Sequence, residues 1–184
     1  MSEIAERYRR TAATFTARVR QVPDGAWDNE APCEGWVARD VVRHLIEWPS
    51  SLFFDTWGIA RTDVPSVDDD PVGAWEAVDR AFQAALDDPA VAERVEEMPH
   101  MGSMPFAQAF DMLVTSDVFL HTWDLARATG LDETLDADEC RRLYEGMEPM
   151  DDMLRQSGHY GPRTPVPDDA DAQTKVLAFI GRRP

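Results

Sequence analysis

The chain has 184 residues, 43% of them apolar and 29% charged, a globular composition at a length that fits one domain over 1–184. No apolar run approaches the roughly 20 residues needed to cross a bilayer, and the N-terminal MSEIAERYRR lacks the apolar stretch of a signal peptide. A cytoplasmic protein with no membrane partner is expected, and 35 acidic against 18 basic residues argue against nucleic acid as a partner too.

Helical spacing dominates from end to end. A first helix is predicted over 2–22, with Ile4, Tyr8, Phe15 and Val19 on one stripe. Pro23, Asp24 and Gly25 make a turn, and a loop through Pro32 and Gly35 leads to a second helix from about Val37. Its inward positions step through Val37, Val41, His44, Leu45 and Trp48; Pro49, lacking a backbone donor, should kink or end it near Trp48. An acidic linker, Asp63 to Asp70, precedes a third helix that opens at Pro71 and buries Val72, Trp75, Val78, Phe82 and Leu86. Residues 89–104 read as an irregular excursion or a short hairpin. The fourth helix runs from Pro105 to Thr129, with Gly130 as its C-terminal cap. A fifth, from about Ala137 to Ser157, is interrupted near Pro149, and a Pro-rich loop at 161–167 leads to a short last helix over about 170–180. The fold class is therefore all-α: four amphipathic helices packed as a bundle, with short additional helices.

Bundles place their sites between facing helices. The inward stripe of the fourth helix reads Phe106, Phe110, Leu113, Asp117, His121, Asp124 and Ala128, so a carboxylate and an imidazole fall in core phase. Burying an unpartnered carboxylate costs several kcal/mol, so Asp117 needs a cation or donors. The i,i+4 spacing stacks Asp117 and His121 on one face, roughly 6 Å apart at Cβ, where both can grip one cation. His44, on the apolar stripe of the second helix, becomes a third ligand if the two helices face each other at the usual 8–10 Å or so. Spacing alone leaves the bland readings open. With 35 acids in 184 positions any histidine has about a one-in-five chance of an acid four residues before it, and three of the four have one. His44 can equally be a hydrogen-bonded core histidine, and Asp117–His121 a buried ion pair. Asp40 has its own explanation as a first-turn acid. Glu96–His100 reads as a solvated loop, and His159, after the Gly158 helix stop, as a surface residue. Trp36, Trp48, Trp57 and Trp123 read as packing. Cys33 and Cys140 are too separated for a disulfide framework or a zinc knuckle and read as reduced thiols. A homodimer is expected on the ground that small bundles pair through apolar faces, with no residue marking the interface.

Three segments, PCEGWVARDVVRHLIEW at 32–48, SDVFLHTWDLARATG at 116–130 and GPRTPVPDDADAQTKVLAFIGRRP at 161–184, carry a resemblance to a known family. Together they resemble the actinobacterial branch of the DinB/YfiT-like superfamily related to mycothiol-dependent maleylpyruvate isomerase, over essentially the whole chain. The resemblance implies a DinB-like four-helix bundle holding one divalent metal ion on His44, Asp117 and His121. Zinc is the first candidate, with nickel, iron or manganese as others. It further implies an open coordination position at which a small thiol, mycothiol or similar, is activated for transfer to, or isomerisation of, an electrophilic small molecule. Asp124, one turn beyond His121, is then a candidate to orient a ligand. The alternatives are a non-enzymatic metal or small-molecule binding module using the same pocket, and a buried polar network without metal. Two departures bear on the transfer. The isomerase carries an additional C-terminal domain for which this chain leaves no room, which weighs against activity on maleylpyruvate, and Val37 stands where related sequences often place a capping Thr.

Overall fold

Ser2 opens the first helix by accepting the Ala5 N–H on its hydroxyl at 3.1 Å, and α1 then runs Glu3–Gln21. The computed structural model describes residues 2–59, 62–98, 102–156, 158 and 160–184; His100 and His159 lie outside the described residues. Helix α2 begins at Ala38–Pro49. Its N-cap Val37 has no side-chain acceptor, and Asp40 compensates by taking the Val37 N–H at 3.0 Å. The regular α-helical pattern stops at Pro49, close to where the sequence placed its interruption, but the chain does not leave the helix there. The backbone widens into a π turn, Ser50–Phe54, and continues through Asp55–Trp57 to Gly58, which takes the left-handed conformation. The wider turn absorbs the missing donor of Pro49 and carries Phe53 and Trp57 into the core, with rings stacked at 5.2 Å.

Helix α3, Pro71–Asp87, has Pro in its first turn and is capped by Asp70, which accepts the Gly73 N–H at 2.8 Å. The 89–104 excursion resolves into a single helical turn, Pro89–Ala92, and an antiparallel hairpin of β1, Val95–Met98, and β2, Gly102–Pro105. Helix α4 starts at Phe106–Phe110, passes through a second π turn, Asp111–Thr115, and continues as Ser116–Thr129 to a left-handed Gly130. This turn shifts the expected stripe: Leu113 is only partly buried, while Val114 and Thr115 are buried completely. Helix α5, Ala137–Met147, is interrupted at Glu148–Met150 as Pro149 requires, then resumes as α6, Asp151–Gln156; α7 is Ala172–Phe179.

α1 and α2 each pack against α3 and α4, which makes the DinB-like bundle, and α5 packs on α7. The main core lies among the four long helices, built around Tyr8, Phe53, Trp57, Phe82, Phe106 and Phe110. A second core joins Phe119, Leu120 and Trp123 of α4 to α5 and α7. The C-terminal half of α4 is therefore covered on both sides, which explains why most residues from 118 to 129 are buried. Among the described residues no helix is long and apolar enough to cross a membrane.

Candidate metal centre

Two helices and one loop supply the site. α2 offers His44 and, one turn on, Trp48; α4 offers Asp117, His121 and Asp124. The 30–37 loop is tied down by hydrogen bonds from Ala31 N–H to the Trp36 carbonyl at 2.8 Å and from Ala38 N–H to the Asn29 carbonyl at 2.9 Å. A turn from Cys33 to Trp36, with Gly35 at φ +78°, aims Trp36 at the helices. The Trp36 ring stacks on His121 at 5.7 Å and tilts against His44 at 4.9 Å. Trp36 and Trp48 thus belong to the site as well as to the packing.

Asp117 sits between two imidazoles. Its Oδ2 is 3.0 Å from His44 Nε2 and accepts the Trp48 indole N–H at 3.0 Å, while Oδ1 is 3.4 Å from His121 Nε2. The two histidine rings stand 4.9 Å apart, so the helices face each other as the spacing required. One nitrogen of each imidazole and one Asp117 oxygen all lie within 4.8 Å of one another, a set that fits a metal ion. The side chains of His44 and Asp117 keep 29% and 25% of their exposure, against 8% for His121, so solvent reaches the set from the α2 side.

Behind His121 lies a second charged layer. Its Nδ1 is 2.8 Å from Asp124 Oδ2, an ion-pair distance without the alignment of a hydrogen bond. Asp124 is fully buried and gripped at both oxygens by Arg182, through Nε at 2.7 Å and Nη2 at 2.9 Å. Cys33 Sγ sits 3.5 Å from Asp124 and 3.0 Å from Arg182 Nη2. Cys33, His121 and Asp124 also have metal-ligand spacing, but the guanidinium of Arg182 already supplies the cation there. Burial works against charge on Asp117, His121 and Asp124, and their partners outweigh it. Asp117 is held below the usual carboxylate range by the charge of His121 and by hydrogen bonds from His44 and Trp48. Asp124 is held at about 2 by the imidazole of His121 beside it and by the hydrogen bonds and charge of Arg182. His121 is raised to about 10, first by the Asp117 charge and then by Asp124 and Cys33. Cys140, by contrast, is pushed up to about 12 by burial and nearby acids, as befits an inert core thiol.

Arg182 reaches Asp124 because of how α7 ends. Gly181 N–H bonds to the Ala178 carbonyl and Arg182 N–H to the Leu177 carbonyl, a Schellman turn around Gly181 at φ +89°. A Cβ on Gly181 would meet the Pro162 carbonyl at 3.1 Å, so this glycine serves both the turn and the close approach.

The family model for the mycothiol maleylpyruvate isomerase N-terminal domain matches residues 8–126. The chain belongs to this family. Two curated proteins of Mycobacterium tuberculosis, from strains CDC 1551 and H37Rv, are each 25% identical over 177 residues, covering 95% of both chains, and both are named uncharacterized. No solved structure matches the chain significantly. The span matched to the isomerase N-terminal domain contains His44, Asp117, His121, Asp124 and Cys33. Arg182 lies beyond it, on the segment that closes the back of the site.

Proposed function

We propose that this protein is a metal-dependent enzyme that activates a small thiol, mycothiol or a close analogue, towards an electrophilic small molecule. The observation that carries the reading is the Asp117 carboxylate, set between two imidazole Nε2 atoms at 3.0 and 3.4 Å and reachable from solvent. A divalent cation held by His44, Asp117 and His121 supplies the Lewis acidity that lets a thiol ionise near neutral pH; zinc is the first candidate, and nickel, iron and manganese also suit two imidazoles and a carboxylate. The family's mycothiol connection supports the choice of thiol.

The chain's own residues do the positioning. Trp48 fixes the rotamer of Asp117 by donating to Oδ2, which turns Oδ1 towards His121. Asp124, locked by Arg182, takes the Nδ1 side of His121, so that Nε2 faces Asp117. Trp36 covers the His121 ring and keeps water off that side. The partly exposed edge of His44 and Asp117 is where a thiol and its electrophile approach. The test supplies purified protein with zinc, mycothiol and a generic electrophile. Consumption of the electrophile should fall to background in His121→Ala, and equal rates in the two proteins contradict the reading.

A further inference from the structure

A cleft of about 330 Å3 lies beside the Cys33–Asp124–Arg182 cluster, lined by Pro32, Trp123, Arg127, Gly181, Arg182 and Arg183. None of His44, Asp117 or His121 lines it. In a chain of net charge −17, three arginines converge here and no carboxylate belongs to the lining, which favours an anionic ligand. Each arginine has capacity to spare. Arg182 spends Nε and Nη2 on Asp124, leaving its Nη1 donors. Arg127 sits over the Trp123 ring with Cζ 4.6 Å from its centroid; its pair with Glu133 at 2.8 Å joins side chains 41% and 34% exposed, an arrangement that contributes little. Arg183 is exposed and makes no ion pair among the described residues. Pro32 adds an apolar side that a bare inorganic anion would leave unused, and Trp123, buried beneath Arg127, backs the cleft.

We infer that this cleft binds a small organic carboxylate, with Arg183, Arg127 and the free edge of Arg182 holding its charge and Pro32 packing against its body. Guanidinium forks match a carboxylate in two-pronged fashion, and the volume suits a ligand of one small ring. The net charge of −17 on the whole chain disfavours a polyanion. The site is independent of the metal reading, because it uses none of the three candidate ligands.

Isothermal titration of the full chain with benzoate, benzylamine and inorganic phosphate tests the inference. Benzoate should bind saturably at one site, benzylamine (the same ring with opposite charge) should not, and phosphate should bind more weakly than benzoate. Arg183→Gln should weaken benzoate roughly tenfold, the loss of one charge-assisted contact, with an unchanged melting temperature because Arg183 is exposed. No saturable benzoate binding, equal binding by benzylamine, phosphate binding at least as tight as benzoate, or an unchanged affinity in Arg183→Gln would each overturn it.

Discussion

His121 carries the electrostatic tension of the site. In the metal-free protein its imidazole is raised to about 10 by Asp117 and Asp124, so at neutral pH it holds a proton that a metal must displace. Metal uptake at pH 7 should therefore release about one proton, and affinity should climb as pH rises towards 10. Titrations in buffers of different ionisation enthalpy measure that proton directly; uptake without release would contradict the charge state assigned to His121. The sign for stability is opposite. A histidine whose folded pKa is raised stabilises the metal-free fold below its ordinary 6.5, and that contribution is lost as pH rises through about 10. Asp124→Asn should weaken metal binding about 10–100-fold by removing the carboxylate charge from the Nδ1 side of His121, read as a dissociation constant on protein whose folding is checked in parallel. The i,i+4 pairing of Asp117 and His121 was legible in the sequence because it lies wholly beyond the π turn, whereas the choice of His44 as their partner rested on the family resemblance. Trp48 was half legible: its place four residues after His44 puts it on the same face, but nothing local shows its indole N–H aimed at Asp117. Cys33 and Arg182 left no such trace, since their meeting spans 149 residues of chain and depends on how α7 ends.

At the scale of elements, the departures from expectation share one cause. A π turn follows Pro49 at Ser50–Phe54 and another spans Asp111–Thr115, one in each of the two helices that carry the site. A π turn admits one more residue per turn and shifts the phase of everything on one side of it, which no periodicity count anticipates. In α4 the shift falls before Asp117, so the Asp117–His121 spacing is intact while Leu113 turns partly outward. In α2 it falls after Trp48, so the helix outlasts its proline and delivers Phe53 and Trp57 to the core. Phe53, fully buried among Trp57, Phe106 and Phe110, tests that continuation. Phe53→Ala should cost about 3–5 kcal/mol by denaturant unfolding, whereas a frayed end after Pro49 would make the change nearly neutral. Gly181→Ala probes the other end of the site. With φ +89° and the Pro162 carbonyl 3.1 Å from the new Cβ, it should cost on the order of 1–2 kcal/mol and lower the melting temperature by a few degrees.

Across the whole molecule, the bundle is joined to the α5–α7 layer by charge as well as by apolar contact. Arg7 of α1 pairs with both Asp111 of α4 and Glu139 of α5, and Arg142 adds a second hold on Glu139. Burial works to raise Glu139, but these guanidinium groups win and hold it at about 2. A depressed carboxylate stabilises above its ordinary 4.5, and that contribution disappears as pH falls towards 2. The melting temperature of the natural chain should thus exceed that of Glu139→Gln at pH 6 and converge on it near pH 2; a constant gap would show that the network does not join the layers. The most direct test of the central claim is an anomalous-difference map from a crystal grown with zinc. A single strong peak is predicted at about 2.0–2.2 Å from His44 Nε2, His121 Nε2 and an Asp117 oxygen. No peak at that position, or one between Cys33 and Asp124 instead, would contradict the account.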